Sequence, residues 1–220
     1  MSHRKSQLSK NLTDIHLKID AAAQRASRNP SEIKLIVVTK TFPVSDIEIL
    51  YELGVRDFGE NRDQEGSVKA PLLPSDAIWH FQGQIQSNKL KSIGNWADVV
   101  HSLDDLRHAK ILGSQVSNKE VFIQVSLDAP GTENRGGVGI ADLSDFIFQM
   151  QEFSNLNVLG LMAVAPIGQS PELAFERLRK VAGEYPQFSA ISAGMSGDFE
   201  AAISQGATHL RIGSQILGLR

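Results

Sequence analysis

Lys40 closes a nearly uninterrupted apolar run, Leu35-Ile36-Val37-Val38-Thr39, and Thr41-Phe42-Pro43 stops that run directly after it. Val- and Ile-rich runs without alternation read as strands buried on both faces, as in a parallel sheet, and such sheets place ligands at the carboxyl ends of their strands. An amine held there and partly stripped of water has a lowered pKa, and its free form attacks carbonyl compounds to give Schiff bases. A lone strand-terminal lysine is more often a solvated cation, so the assignment needs support from other residues. Two small-residue stretches near the other end of the chain supply it: Ser192-Ala193-Gly194-Met195-Ser196-Gly197-Asp198 and Gly213-Ser214. Small residues let backbone N–H groups approach an anion, helix N-termini carry partial positive charge, and serine hydroxyls add donors. Either stretch alone is more simply a turn or an N-cap; together they form a candidate phosphate cup.

The elements that position these residues alternate. Leu8, Leu12, Ile15, Leu17 and Ile19 predict an opening helix ending near Asn29-Pro30. After the Lys40 strand, Pro43 to Leu53 reads as a helix, Val55 to Gly59 as a strand and Arg62 to Lys69 as a helix. The pattern continues with strands at Ile78–Phe81, Val99–His101, Val121–Val125, Val158–Val164, Phe188–Ile191 and His209–Ile212. The helices between them are Ser87–Ile93, Leu103–Leu112, Leu143–Phe153, Leu173–Ala182 and Phe199–Ser204, and a short turn follows the last strand. Eight strand–helix units close a parallel sheet into a TIM-type (β/α)8 barrel, here with an extra N-terminal helix. The competing doubly wound open sheet is disfavoured because no Gly-x-Gly-x-x-Gly turn follows the first strand. In a barrel the loops after the seventh and eighth strands are the usual phosphate site, and those are the two stretches named above.

Composition narrows the function further. The 220 residues are 41% hydrophobic and 21% charged, enough for one core, so residues 1–220 are expected to form a single domain. A net charge of −3 without a basic block argues against nucleic acid. The absence of cysteine removes disulfides, thiolate catalysis and cysteine-ligated metals. The six histidines, His3, His16, His80, His101, His108 and His209, show no close metal-ligand spacing, so no metal site is expected. The amino-terminal residues lead into an amphipathic segment rather than an apolar stretch, so a cytoplasmic location with no membrane association is expected. Gly194-Met195-Ser196-Gly197 misses the Gly-x-Ser-x-Gly nucleophile elbow. The Gly131–Gly137 stretch reads as a loop after the fifth strand, either a lid or a long connection.

A lysine amine at the first strand and a phosphate cup at the last two fit an aldehyde that carries a phosphate, and pyridoxal 5′-phosphate is such a molecule. The chain resembles the YggS/PROSC family of pyridoxal phosphate homeostasis proteins. The segments that carry the resemblance are Val38-Thr39-Lys40-Thr41, Phe58-Gly59-Glu60-Asn61 with Gln64-Glu65, and Trp79-His80-Phe81-Gln82-Gly83 with Gln86-Ser87-Asn88-Lys89. Gly160-Leu161-Met162-Ala163, Gly194-Met195-Ser196 and Arg211-Ile212-Gly213-Ser214 complete the series, in order over nearly the whole chain. The sequence departs from the commonest family pattern at Arg62-Asp63 and at Gln84.

The resemblance implies a barrel like the alanine racemase N-terminal domain, with pyridoxal phosphate held as an internal aldimine on Lys40. It implies phosphate contacts from Met195, Ser196, Gly213 and Ser214, Arg211 facing the pyridine nitrogen, and Asn61 near the ring. His80 matches a family position at the barrel mouth, yet between Trp79 and Phe81 it equally reads as a satisfied structural residue. A fixed cation at the ring nitrogen weakens the ring as an electron sink. The racemases of this barrel type take a second base, a tyrosine, from an additional domain of a partner subunit, whereas Tyr51 and Tyr185 both fall on predicted helices here. The implied role is a cofactor binder and carrier, a monomer with apo pyridoxal-phosphate-dependent enzymes as recipients. An amino-acid racemase is the enzymatic alternative, and a barrel holding some other phosphorylated metabolite non-covalently is the third.

Overall fold

In the computed structural model, which describes residues 3–115, 118–128 and 136–218, the strand–helix alternation resolves into a closed parallel barrel. Its strands are β1 (Lys34–Val38), β2 (Asp57–Glu60), β3 (Ile78–Phe81), β4 (Val99–Leu103), β5 (Lys119–Gln124), β6 (Leu156–Met162), β7 (Ala190–Ser192) and β8 (His209–Ile212). Each pairs with the next in the chain, and β8 closes back onto β1 with Ile36 opposite Arg211 and Val37 opposite Ile212. Successive side chains point to opposite faces of a strand. On β5, Val121 and Ile123 therefore join the large apolar core under the helices, while Phe122 belongs to a smaller interior cluster with Val99 and Met162. The same alternation puts Leu210 and Ile212 outside and leaves the buried Arg211 to the interior.

The outer layer comprises α2 (Val44–Glu52), α3 (Asp63–Lys69), α4 (Leu90–Trp96), α5 (Leu106–Gly113), α6 (Leu143–Met150), α7 (Pro171–Gly183), α8 (Phe199–Ser204) and α9 (Ser214–Leu217). The added helix α1 (His3–Arg25) buries Leu8, Leu12, Ile15 and Ile19, a stripe at three- and four-residue spacing. It packs beside α2, α8 and α9. Arg4 forks onto Asp46 at 2.9 and 2.6 Å and reaches the Leu217 carbonyl, while Asn11 donates to the Ile216 carbonyl at 2.8 Å. The extra helix thus clamps the short α9 that follows the last strand.

Several boundaries differ from the sequence-based expectation. Leu17 falls off the α1 stripe and is exposed. That helix ends at Arg25 rather than near Asn29, because the backbone turns left-handed at Ser27 (φ 54). Strand β4 runs through Leu103, where a helix start was expected; Asp105 supplies the cap instead, accepting from the Arg107 amide at 2.8 Å. Strands β6 and β7 shift by about two residues in opposite directions, as strand ends commonly do. Residues 131–135 of the expected lid or connection lie outside the described residues. Among the described residues no helix is long and apolar enough to cross a membrane.

Candidate functional site

The site begins at the turn after β1. Thr41 adopts φ 66, a left-handed conformation that a threonine holds only when its surroundings impose it. A buried charge cluster imposes it here. Lys69, from the last turn of α3, donates to the Thr39 carbonyl at 3.0 Å, to Glu60 Oε1 at 2.7 Å and to Glu65 Oε2 at 2.8 Å. Glu60 also accepts from the Thr39 hydroxyl at 2.7 Å, and Glu65 accepts from the Thr41 amide at 2.6 Å. The backbone on both sides of Lys40 is therefore pinned to one ammonium with all its hydrogens used. Burial pushes the Glu60 carboxyl up despite Lys69 and Thr39. For Glu65 burial acts in the same direction but is outweighed by Lys69 and the Thr41 amide, so its pKa is lowered.

Lys40 itself is exposed and borders a cavity of about 470 Å³ at the carboxyl ends of the strands. Asn61 follows β2 on one wall, Gln82 follows β3, and Met195, Ser196, Arg211, Gly213 and Ser214 come from the seventh and eighth units. Of the residues singled out in the sequence, the structure brings Lys40, Asn61, Met195, Ser196, Arg211, Gly213 and Ser214 together around this one cavity. The β7 loop can fold back because Gly194 sits at φ 94, where a Cβ would also meet Ala202 at 2.7 Å. Gly213 lies so close to β1 that a Cβ would approach the Val38 carbonyl oxygen at 2.9 Å. The Met195 amide donates to Asp198 Oδ1 at 2.6 Å, and the Ser196 carbonyl accepts from the Gln215 side chain, which ties the β7 loop to the one after β8. The Ser214 and Gln215 amides, the first two of α9, have no acceptor within the helix, whereas those of Ile216 and Leu217 donate to the Gly213 carbonyl.

Arg211 donates to Ser192 Oγ at 2.7 Å and to the Ala163 carbonyl at 3.0 Å. Burial lowers its pKa to about 10, so it remains a cation at neutral pH, helped at a distance by Asp198. His80 is placed differently from the mouth position its family match implies. Two residues deeper than Gln82 on the same strand face, it is fully buried between Asp57 and His101, with 2.9 Å contacts to each, and is absent from the cavity lining. Gln82 takes the mouth position, and Thr41 and Phe42 also line the cavity. Gln82 lay within a quoted segment, but an uncharged amide gives no chemical signal of its own. Among the described residues no group of histidines and carboxylates could hold a metal ion.

The cavity lies within the ordinary range for small-molecule sites. Asn61 and Gln82, which line it, each hold a buried side-chain atom, Asn61 Oδ1 and Gln82 Nε2, that lacks a hydrogen-bond partner among the described residues. An orphaned acceptor and an orphaned donor are costly unless a ligand satisfies them. An amine, a buried guanidinium, two serines and this unsatisfied pair around one pocket fit the aldehyde, ring substituents and phosphate of pyridoxal phosphate.

Comparison with known proteins agrees. Residues 9–220 match the alanine racemase N-terminal domain. A pyridoxal phosphate homeostasis protein of Corynebacterium glutamicum is 40% identical over 218 residues, covering 92% of this chain and 97% of the relative. One from Mycobacterium leprae is 37% identical over 242 residues, covering 98% of this chain and 93% of the relative. The solved structure of PipY from Synechococcus elongatus with pyridoxal phosphate bound superimposes with a TM-score of 0.83 at 30% identity, covering 96% of this chain and 100% of that one. With its closed barrel, its clustered site and relatives matched over almost their full length, the chain belongs to the pyridoxal phosphate homeostasis proteins of the alanine racemase N-terminal-domain family.

Proposed function

We propose that this protein binds pyridoxal 5′-phosphate covalently through Lys40 and holds it for delivery to apo-enzymes rather than turning over amino acids. When bound, the cofactor supplies an aldehyde that a lysine amine captures as a Schiff base and a ring that can withdraw electrons. The carrying observation is that one cavity gathers the Lys40 amine, the Arg211 guanidinium and the Ser196 and Ser214 loops. Lys40 supplies the amine, and its pinned backbone limits how far it strays from the cavity. Ser196 and Ser214 supply hydroxyl donors for the phosphate, and Asn61 and Gln82 complete their own hydrogen bonds against ring substituents. Arg211, a permanent cation, disfavours protonation of a ring nitrogen beside it and so weakens electron withdrawal.

The composition of the walls supports retention over racemisation. Among the described residues that line the cavity, Lys40 and Arg211 alone carry ionisable side chains. Racemisation needs a second base on the opposite face of the substrate carbon. Tyr51 hydrogen-bonds Asp76 beneath the Arg56 guanidinium, and Tyr185 packs near Phe188 with ring centroids 6.3 Å apart; neither lines the cavity.

Loading the protein with pyridoxal phosphate and mixing it with an apo pyridoxal-phosphate-dependent enzyme should restore that enzyme's activity. Failure to transfer would remove the delivery role. Ser196→Ala and Ser214→Ala should each weaken cofactor affinity by about 1–2 kcal/mol, the size of one charge-assisted hydrogen bond. Equilibrium titration measures this, and unchanged affinity in the double variant would place the phosphate elsewhere. Arg211→Gln should speed cofactor loss while Lys40 still captures the aldehyde, because a donor remains and only the fixed charge is gone. Amino-acid α-proton exchange in deuterated buffer, run beside the dissociation rate, separates carrier from racemase. Lys40-dependent exchange by the wild-type protein faster than about 1 per second, within the range of ordinary enzymes, would overturn the carrier reading.

A further inference from the structure

Below the cavity, the barrel interior holds a continuous row of polar groups that the binding of a cofactor does not itself require. Arg211 contacts Ser192 Oγ at 2.7 Å, Ser192 Oγ contacts His101 Nδ1 at 2.8 Å, and His101 Nε2 contacts His80 Nδ1 at 2.9 Å. His80 Nε2 then contacts Asp57 Oδ1 at 2.9 Å, and Lys34 Nζ lies 3.0 Å from the same oxygen. Ser192, His80 and His101 are fully buried. The His101 ring is stacked on Phe122 at 4.5 Å between centroids, with His209 edge-on to Phe122 at 5.1 Å, so the imidazole plane is fixed by packing.

The direction of every proton in this row is determined by its two ends. Arg211 can only donate. Burial acts to raise the Asp57 pKa, but His80 and Lys34 outweigh it and keep the carboxyl ionised, so Asp57 can only accept. Burial holds His80 down and His101 well down, His101 further by its neighbours His80, Arg211 and His209, so both rings are neutral. His80 must then carry its hydrogen on Nε2 and accept at Nδ1. His101 must likewise donate from Nε2 and accept at Nδ1, and the Ser192 hydroxyl donates to it while accepting from Arg211. The opposite direction would set a bare His80 nitrogen against a carboxylate.

We propose that Asp57, His80, His101 and Ser192 are positioning residues: a one-directional hydrogen-bond relay, anchored at the amino-terminal end of the barrel, that orients the Arg211 guanidinium at the cofactor ring. This rests on the reading of Arg211 as the ring contact of bound pyridoxal phosphate. The relay gives a guanidinium with no carboxylate in ion-pair contact among the described residues a fixed acceptor beside the Ala163 carbonyl: Ser192 is locked as its acceptor because the Ser192 proton is committed to His101.

The test uses the full chain, 15N-labelled at histidine and loaded with pyridoxal phosphate. Nitrogen NMR at neutral pH should find His80 and His101 neutral and protonated at Nε2, and a hydrogen on Nδ1 of either ring would overturn the relay. Asp57→Asn keeps the side-chain shape but lets the amide donate or accept, so it should mix the tautomers and raise the pyridoxal phosphate dissociation rate about fivefold, the worth of one net hydrogen bond. A merely structural Asp57 would lower the melting temperature and leave tautomers and dissociation unchanged, which would sink the proposal. If Asp57→Asn does not fold, Ser192→Ala tests the other end of the row: Asp57 still fixes both tautomers, but Arg211 loses its locked acceptor, so the pyridoxal phosphate dissociation rate should rise by a similar factor, and an unchanged rate would sink the proposal. Borohydride trapping on Lys40 is scored separately: no trapping in the wild type removes the cofactor reading while the tautomer result still stands on its own.

Discussion

Lys40→Ala is expected to abolish covalent capture of pyridoxal phosphate. Borohydride reduction of the loaded wild-type protein, followed by peptide mapping, should find the reduced pyridoxyl group on the peptide carrying Lys40, and the variant should yield none. The expectation rests on position, because among the described residues Lys40 is the sole lysine on the cavity wall. The neighbouring Lys69 is buried, with its ammonium already shared among the Thr39 carbonyl, Glu60 and Glu65. It does not line the cavity. Non-covalent retention should persist in the variant, since the serines and Arg211 are untouched, so affinity falls without vanishing. A pyridoxyl adduct on any other lysine of the wild-type protein would refute the assignment.

The barrel was legible because its most apolar strands announce themselves by composition and the strand–helix alternation carries the shorter, more polar ones such as β2 and β8. Runs such as Val121-Phe122-Ile123 are apolar on both faces, and the helix between Pro43 and Gly54 carries both its start and its stop residue. Boundaries were less legible wherever tertiary contacts decide them. Leu103 reads as the first residue of an amphipathic helix, yet it completes β4 because β5 offers it a partner at Ile123. Leu17 fits a hydrophobic count along α1, but the geometry of a 3.6-residue turn puts it on the outer face.

The cavity wall was legible where a residue type carries its own chemistry: an amine ending a strand, serines among glycines, an arginine in the last strand. Its support was not. Lys69 sits in the last turn of a charged helix and reads as an ordinary solvated cation complementing the helix end. Its burial depends on Glu60, three strand residues after Asp57, being turned toward the same place. His101 gives no signal at all, because a histidine near the end of an apolar strand acquires meaning only from His80 and Ser192, residues 21 and 91 positions away. Sequence proximity supplies the groups that do chemistry more readily than the groups that hold them, because holding is a property of long-range register.

Lys69→Met is the substitution expected to cost the most stability. The thioether is close in length to the lysine stem, so packing is largely kept and the loss is electrostatic. Two carboxylates that share one ammonium, Glu60 at 2.7 Å and Glu65 at 2.8 Å, would then face one another with Glu60 fully buried. Removing one partner of a buried ion pair costs about 3–5 kcal/mol, because the remaining charge keeps its desolvation penalty without compensation. The pH dependence has a definite sign. Burial already raises the Glu60 pKa above its ordinary value, and without Lys69 it rises further. A carboxyl whose folded-state pKa is raised favours the folded state below its unfolded pKa and loses that contribution as pH climbs through the folded value. Glu65 acts in the opposite sense in the wild type, its lowered pKa contributing stability above the ordinary carboxylate range, and much of that lowering comes from Lys69. Both changes point the same way, so the deficit of Lys69→Met relative to wild type should be small in mild acid and grow toward neutral pH. Chemical denaturation of the two proteins across that interval measures it; a deficit that is constant with pH would mean that Lys69 contributes only its packing. The same variant should also slow cofactor capture by Lys40, since the Thr39 carbonyl loses one of its two donors and keeps only the Phe42 amide, and the Thr41 amide is left against a carboxylate free to move, loosening the left-handed turn that sets the lysine at the cavity.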